Sequence, residues 1–300
     1  MAEILLQLAP IFVYFLIGVL IRRAGVADRS HGDFVLRLAF FVTLPLLILT
    51  SVSETRLTAD KALLPVANIV VNVLCLGVAL LATRPMRLAR ATQGSIAMST
   101  MIVNNAFMFP FILAIYGDTG FADAVLFDFG NALMVATVTY ATAFRYSVES
   151  FDRVAMLKRI VKAPVFSALV LGVVLSVTDT ALPPFVIRIV EPVADMTAPL
   201  ILIALGISFS LSLADARLAA LALAVRMGLG LVFGLAFATI AGFEGQTFAV
   251  VALCSAAPIG FMALTFTSVA KLDMRLTTTA VSLSILIGLI YIPLLMFFFE

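Results

Sequence analysis

The sequence predicts an all-α membrane protein: ten transmembrane helices in two inverted five-helix repeats, with the fourth and ninth helices interrupted. Composition, the alternation of basic residues and an internal resemblance at a fixed offset lead there. Of 300 residues, 63% are hydrophobic and 12% charged, and the mean hydropathy is +1.18. Soluble domains run at about 45–50% apolar and about 25% charged, so this chain cannot cover itself with polar groups in water. A nucleic-acid binder, a secreted disulfide scaffold and a disordered chain are excluded. The net charge of +2 says little, because in a membrane protein placement of charge matters more than its sum. Cys75 and Cys254 lie in apolar runs and read as buried free thiols.

Apolar runs between charged or Gly/Pro punctuation give spans at 4–21, 34–53, 61–83, 93–116, 121–145, 161–178, 193–213, 217–241, 246–269 and 276–298. The first has no basic n-region before it, so it reads as a permanent helix and not a cleaved signal. The sixth is short, and the seventh follows an interfacial stretch, Leu182-Pro-Pro-Phe-Val-Ile-Arg-Ile-Val-Glu191. Odd-numbered loops carry Arg22, Arg23, Arg29, Arg84, Arg87, Arg90, Arg145, Arg153, Lys158, Arg159, Lys162, Arg217, Lys271 and Arg275, which is 14 of the 19 basic residues. Even-numbered loops carry only Arg56, Lys61 and Arg188, while Arg37 and Arg226 lie at or inside span ends. That bias places the odd loops in the cytoplasm and both termini outside.

The chain resembles itself at an offset of 154. Ala9-Pro10-Ile11-Phe12 returns as Ala163-Pro164-Val165-Phe166, Gly18-Val19 as Gly172-Val173, and Leu44-Pro45-Leu46 as Ala198-Pro199-Leu200. Agreement in residue type, proline spacing and span order points to duplication. The halves are then 1–148, a five-helix repeat, and 161–300, its second copy, joined by a cytoplasmic loop at 149–160. An odd number of spans inverts the second copy. Inverted repeats in the membrane plane are a signature of secondary transporters.

In such carriers, corresponding interrupted helices mark the binding site. Span four contains Asn104, Asn105 and Pro110, and span nine contains Pro258 and Gly260. Asn104 follows Gln93 by 11 residues and Pro258 follows Gln246 by 12, or about 17–18 Å of helix, close to the middle of a roughly 30 Å core. Proline removes an amide donor and unlatches a carbonyl a turn earlier. Unwound backbone at that depth is tolerated only inside protein or beside a water-filled cavity. Half-helix N-termini offer free amides and a positive dipole end, which suits a carboxylate.

Asp128 in span five is an intramembrane acid, which by default suggests a proton or ion relay; lying a turn or two inside the start of the span at 121, it alternatively reaches the outer interface. Asn131 lies one turn further along the same face. Asn68 and Asn72 share a face of span three and read as interhelical hydrogen-bond glue. Asp195 and Thr197 are either interfacial or site-lining. Arg226 is expected to snorkel or to pair with a carboxylate. His31, the only histidine, reads as a solvated loop residue, and one His with two separated Cys leaves no ligand set for a metal. No phosphate-binding glycine loop, nucleophile elbow or zinc-protease motif occurs, so neither an ATP-driven pump nor an enzyme is expected.

These motifs, taken in order over the whole length, resemble the auxin efflux carrier family, here a bacterial member, within the wider group of bile acid/sodium symporters. The residues are Leu44-Pro45-Leu46-Leu47, the Asn-containing span four, Ala163-Pro164, Ala198-Pro199-Leu200-Ile201-Leu202 with Leu205-Gly206, Ala257-Pro258, and Ala270-Lys-Leu-Asp-Met274 with Ser282 and Pro293. The resemblance implies crossed, proline-broken helices four and nine, scaffold and transport domains, and an elevator-like movement. It also implies an organic anion substrate, no cofactor beyond a coupling proton or sodium ion, an inner-membrane location and pairing into a homodimer. Substrate contacts are then expected at Asn104, Asn105, Pro110, Pro258, Gly260 and Asn131, with Asp128 as the coupling group. Helix four departs from the family's usual Gly-Asn-x-Gly-Phe-x-Gly-x-Pro run: it reads Asn104-Asn-Ala-Phe-Met-Phe-Pro110. The expected activity is secondary transport of a mono- or dicarboxylate. Two alternatives are a sodium- or proton-coupled carrier of bulkier amphipathic anions and a non-transporting membrane sensor on the same fold.

Overall fold

A computed structural model describes residues 2–147, 162–210 and 215–299. The connecting loop expected at 149–160 lies outside the described residues. Within them the chain is helical and forms no strand; one isolated antiparallel bridge pairs Val103 with Ile259. In order the helices are α1 (Ala2–Arg23), α2 (Arg29–Glu54), α3 (Asp60–Met86), α4 (Arg90–Met101), α5 (Asn105–Tyr146), α6 (Pro164–Val177), α7 (Pro184–Ser208), α8 (Ala216–Ile240), α9 (Gly245–Ser255), α10 (Met262–Val269) and α11 (Met274–Phe299).

Seven of these, α1, α2, α3, α5, α7, α8 and α11, are long and apolar enough to cross a membrane, which makes the protein integral and multi-pass. The other expected spans fall short for a physical reason. Span six forms α6, only 14 residues long. Spans four and nine are cut into α4 with the start of α5, and α9 with α10. α5 itself turns at Gly117 (φ 62°, ψ −160°), a conformation that suits glycine because it lacks a Cβ. Three π-helical stretches, Ala39–Thr43, Val135–Thr139 and Ala224–Leu229, interrupt α2, α5 and α8. Such bulges concentrate at functional sites.

The chain divides into two compact units, each drawing on both sequence halves. The first comprises Met1–Lys61, Ala106–Val125 and Lys158–Phe209. Here small residues let helices touch backbone to backbone. A Cβ at Gly18 would stand 2.2 Å from the Ile203 carbonyl oxygen, and one at Gly206 would stand 2.1 Å from that of Phe15. At Gly172 a Cβ would meet the Val52 side chain at 3.0 Å. Gly18 and Gly172 are 154 positions apart, and so are Val52 and Gly206, so the two contacts join corresponding positions of the proposed repeats. Arg22 closes the end of α7, donating to the Ile207 carbonyl at 3.0 Å. Lys61, largely buried, pairs with the fully buried Asp123 at 2.7 Å.

The second unit comprises Ala62–Asn105, Leu126–Leu157 and Ser210–Glu300. Gly130 packs so closely on α3 that a Cβ there would lie 2.1 Å from the Pro65 carbonyl oxygen. That contact seats the Asp128–Asn131 turn of α5. Both cysteines, Cys75 and Cys254, are free and buried in this unit.

Candidate functional site

Two helix breaks meet in the second unit. α4 ends at Met101, Ile102 is extended, and Val103 bridges to Ile259 before α5 starts at Asn105. Two successive β-branched residues, Ile102 and Val103, favour that extended backbone. α9 ends at Ser255, where Pro258 removes a donor and pushes Ala257 out of the helical region. The segments pair antiparallel: the Asn104 amide donates to the Pro258 carbonyl at 2.9 Å, and the Gly260 amide donates to the Ile102 carbonyl at 2.9 Å. Gly260 is required by proximity, since a Cβ there would stand 2.6 Å from the Val103 carbonyl oxygen. The Ile259 amide is taken by the Ser284 hydroxyl at 3.1 Å.

Pro110 needs a correction. Helix four opens at 102–104 and not at Pro110, which is the sixth residue of the helical stretch that runs from Asn105 to the turn at Gly117. Pro110 belongs to the first unit, where it lines a narrow apolar cleft with Leu47, Phe109, Phe121 and Thr197. Asn104, Asn105, Asp128, Asn131, Pro258 and Gly260 all belong to the second.

The polar groups at the start of α5 form a cluster. Asn105 donates its side-chain amide to Asp128 Oδ1 at 2.7 Å, and Asn131 donates to the same oxygen at 3.0 Å. Asn105 is buried, whereas Asp128 and Asn131 are half-buried. The side-chain oxygens of Asn105 and Asn131 are themselves buried without a hydrogen-bond partner among the described residues. The Asp128 carboxylate thus gathers two side-chain amides, each of which keeps an unsatisfied buried oxygen. Such an arrangement of oxygens can take a proton or a small cation.

Comparison with known protein families matches residues 3–296 to one described as membrane transport protein. The chain belongs to this family, that of the auxin efflux carriers. Two curated proteins are similar to the chain. An uncharacterized transporter of Methanothermobacter thermautotrophicus is 24% identical over 290 residues, covering 95% of this chain and 94% of the relative. The uncharacterized transporter MJ1031 of Methanocaldococcus jannaschii is 21% identical over 206 residues, 66% of each chain. This auxin efflux carrier family member is thus a membrane transporter and not an enzyme.

Other expected residues of the transporter fall elsewhere. Asp195 is exposed and Thr197 buried, both in the first unit. His31 is exposed and contacts Asp28, the N-cap of α2, at 2.8 Å. Hydrogen bonds from Ser30 and then His31 hold the Asp28 carboxyl well below the usual carboxylate range. Asn68 and Asn72 do bond to each other, at 2.6 Å, but not only as glue. Asn72 also accepts from Arg226, which neither snorkels nor meets a carboxylate among the described residues: it is fully buried. Sequence reasoning missed this role for Arg226, together with those of Ser255, Thr100 and Ser284. The available signal was a lone arginine in an apolar span, exactly one repeat offset from Asn72.

Proposed function

We propose that the protein is a secondary carrier of a small organic anion, a mono- or dicarboxylate, which binds at the crossed helix breaks and moves by alternating access across the cytoplasmic membrane. The crossing carries this reading. Two helices are unwound to extended backbone, Asn104 to Pro258 and Gly260 to Ile102, deep in the second unit. Such backbone in a membrane chain belongs beside a binding cavity. Ten spans in two inverted repeats fit the contacts at Gly18–Gly206 and Val52–Gly172, because an offset of 154 turns Gly18 into Gly172 and Val52 into Gly206.

A second reading, coupling to a proton or sodium ion, is favoured by the Asp128 carboxylate. It takes two amide donors on one oxygen and makes no other hydrogen bond among the described residues. Asp128 then accepts the coupling ion, and Asn105 links that event to the start of α5.

The test is a thermal-shift screen of purified protein against mono- and dicarboxylates, with and without sodium and across pH. A ligand that binds only the folded state stabilises it by about 2.7 kcal/mol at a hundred times its dissociation constant. A carboxylate hit lost in Asn105→Ala, followed by uptake into proteoliposomes, is the expected result. Loss of sodium or pH dependence in Asp128→Asn, with binding retained, supports the coupling role. Saturable binding without flux shifts the protein to a sensor. No carboxylate response from folded protein overturns the anion reading.

A further inference from the structure

Arg226 lies in the π-helical stretch of α8 and is wholly buried in the second unit. A guanidinium cannot shed its proton inside a protein, and an uncompensated buried charge is very costly. The compensation here is unusual. One Nη donates to Asn72 Oδ1 and, at 3.4 Å, to the Thr100 carbonyl; the other donates to the Ser255 carbonyl at 2.6 Å. Cys75 and Gly230 also lie against it, and no carboxylate pairs with it among the described residues.

Those two carbonyls have one thing in common. In an unbroken helix Thr100 would accept from Asn104, but the Asn104 amide has gone to Pro258. Ser255 would accept from Ile259, whose amide has gone to Ser284. Each break therefore orphans a carbonyl, and Arg226 donates to both. The same carbonyls close the C-terminal ends of α4 and α9. A helix C-terminus carries roughly half a negative elementary charge, so two such ends balance about one guanidinium. Arg226 also meets its own counterpart: Asn72 stands 154 positions earlier, at the repeat offset. A cation is needed once at a point that both repeats share, and only the second copy supplies it.

We propose that Arg226 is the positioning residue of the crossing. It caps both broken helices at their negative ends and so holds the two crossing segments in register. This assignment does not depend on which substrate, if any, is carried.

The experiment is amide hydrogen exchange on protein in detergent, read by peptide, for wild type, Arg226→Lys, Arg226→Gln and Asn72→Asp. Loss of the charge in Arg226→Gln is expected to speed exchange about tenfold or more in peptides covering 101–105 and 256–262, the scale of one lost hydrogen bond to a charged group. Elsewhere in the unit, in α3 and α11, exchange should stay within about twofold, a readout that a merely structural role would not produce. Arg226→Lys keeps the charge and is expected to keep most of the protection. Asn72→Asp offers the guanidinium a carboxylate, so it should leave the melting temperature unchanged or higher while loosening the two breaks. That variant decides the matter if Arg226→Gln does not fold. Uniform acceleration across the unit, equal loss in Lys and Gln variants, or breaks that stay protected in Asn72→Asp would each overturn the proposal.

Discussion

Replacing Gly260 with alanine adds one methyl group where two backbones cross. The new Cβ would stand 2.6 Å from the Val103 carbonyl oxygen and 3.0 Å from both the Val103 carbonyl carbon and Ile102 Cγ2. Two of those three atoms are backbone and cannot rotate away. The segments must part by about 0.4 Å to reach even a tight 3.0 Å contact, and by about 0.8 Å for an ordinary one at 3.4 Å. Both crossing hydrogen bonds start at 2.9 Å. Stretched by the larger amount they exceed a useful length. A buried donor or acceptor left unmade costs about 1–3 kcal/mol, so Gly260→Ala should destabilise the second unit by about 2–4 kcal/mol. Thermal unfolding in detergent measures this, and exchange at 102–104 locates it. Gly77→Ala is the control: nothing lies within 4 Å of a Cβ there, and alanine in that helix interior should stabilise by about 0.5–1 kcal/mol. Wild-type stability and ligand response in Gly260→Ala would refute the close crossing.

Two further outcomes follow from charged groups. Lys61→Met leaves the buried Asp123 without its cation and should cost about 3 kcal/mol, most of it recovered in Lys61→Met/Asp123→Leu, as thermal melts will show. The depressed Asp28 carboxyl stabilises the start of α2 at neutral pH and loses that effect only as pH falls below the ordinary carboxylate range. Protection factors at residues 30–33, taken relative to intrinsic exchange at each pH, should therefore fall in acid for wild type but already be low at neutral pH in Asp28→Ala.

Hydropathy and charge placement were enough to predict a multi-pass helical membrane protein, because a bilayer admits only apolar segments of sufficient length and every span must obey that locally. The offset of 154 was legible for the same reason: residues such as Pro10, Pro164, Pro45 and Pro199 act on their own stretch of chain. The break in span nine was also local, since Pro258 interrupts helix by itself. The break in span four lies at Asn104, as the distance from Gln93 indicates, but not for the expected reason: Pro110 sits inside the next helical stretch, and the segment opens without a proline, with Ile102 and Asn104 bonding across to span nine. No property of span four alone reveals that exchange. The partners of Asp128 lie 23 and 3 residues away, and those of Arg226 lie 154, 126 and 29 away. Which buried charge meets which dipole depends on how helices pack, and packing is set by the whole chain at once. The sequence alone therefore determined what the protein is made of and that it crosses a membrane. Tertiary structure decided where two helices open, and which side chains satisfy the groups that opening leaves bare.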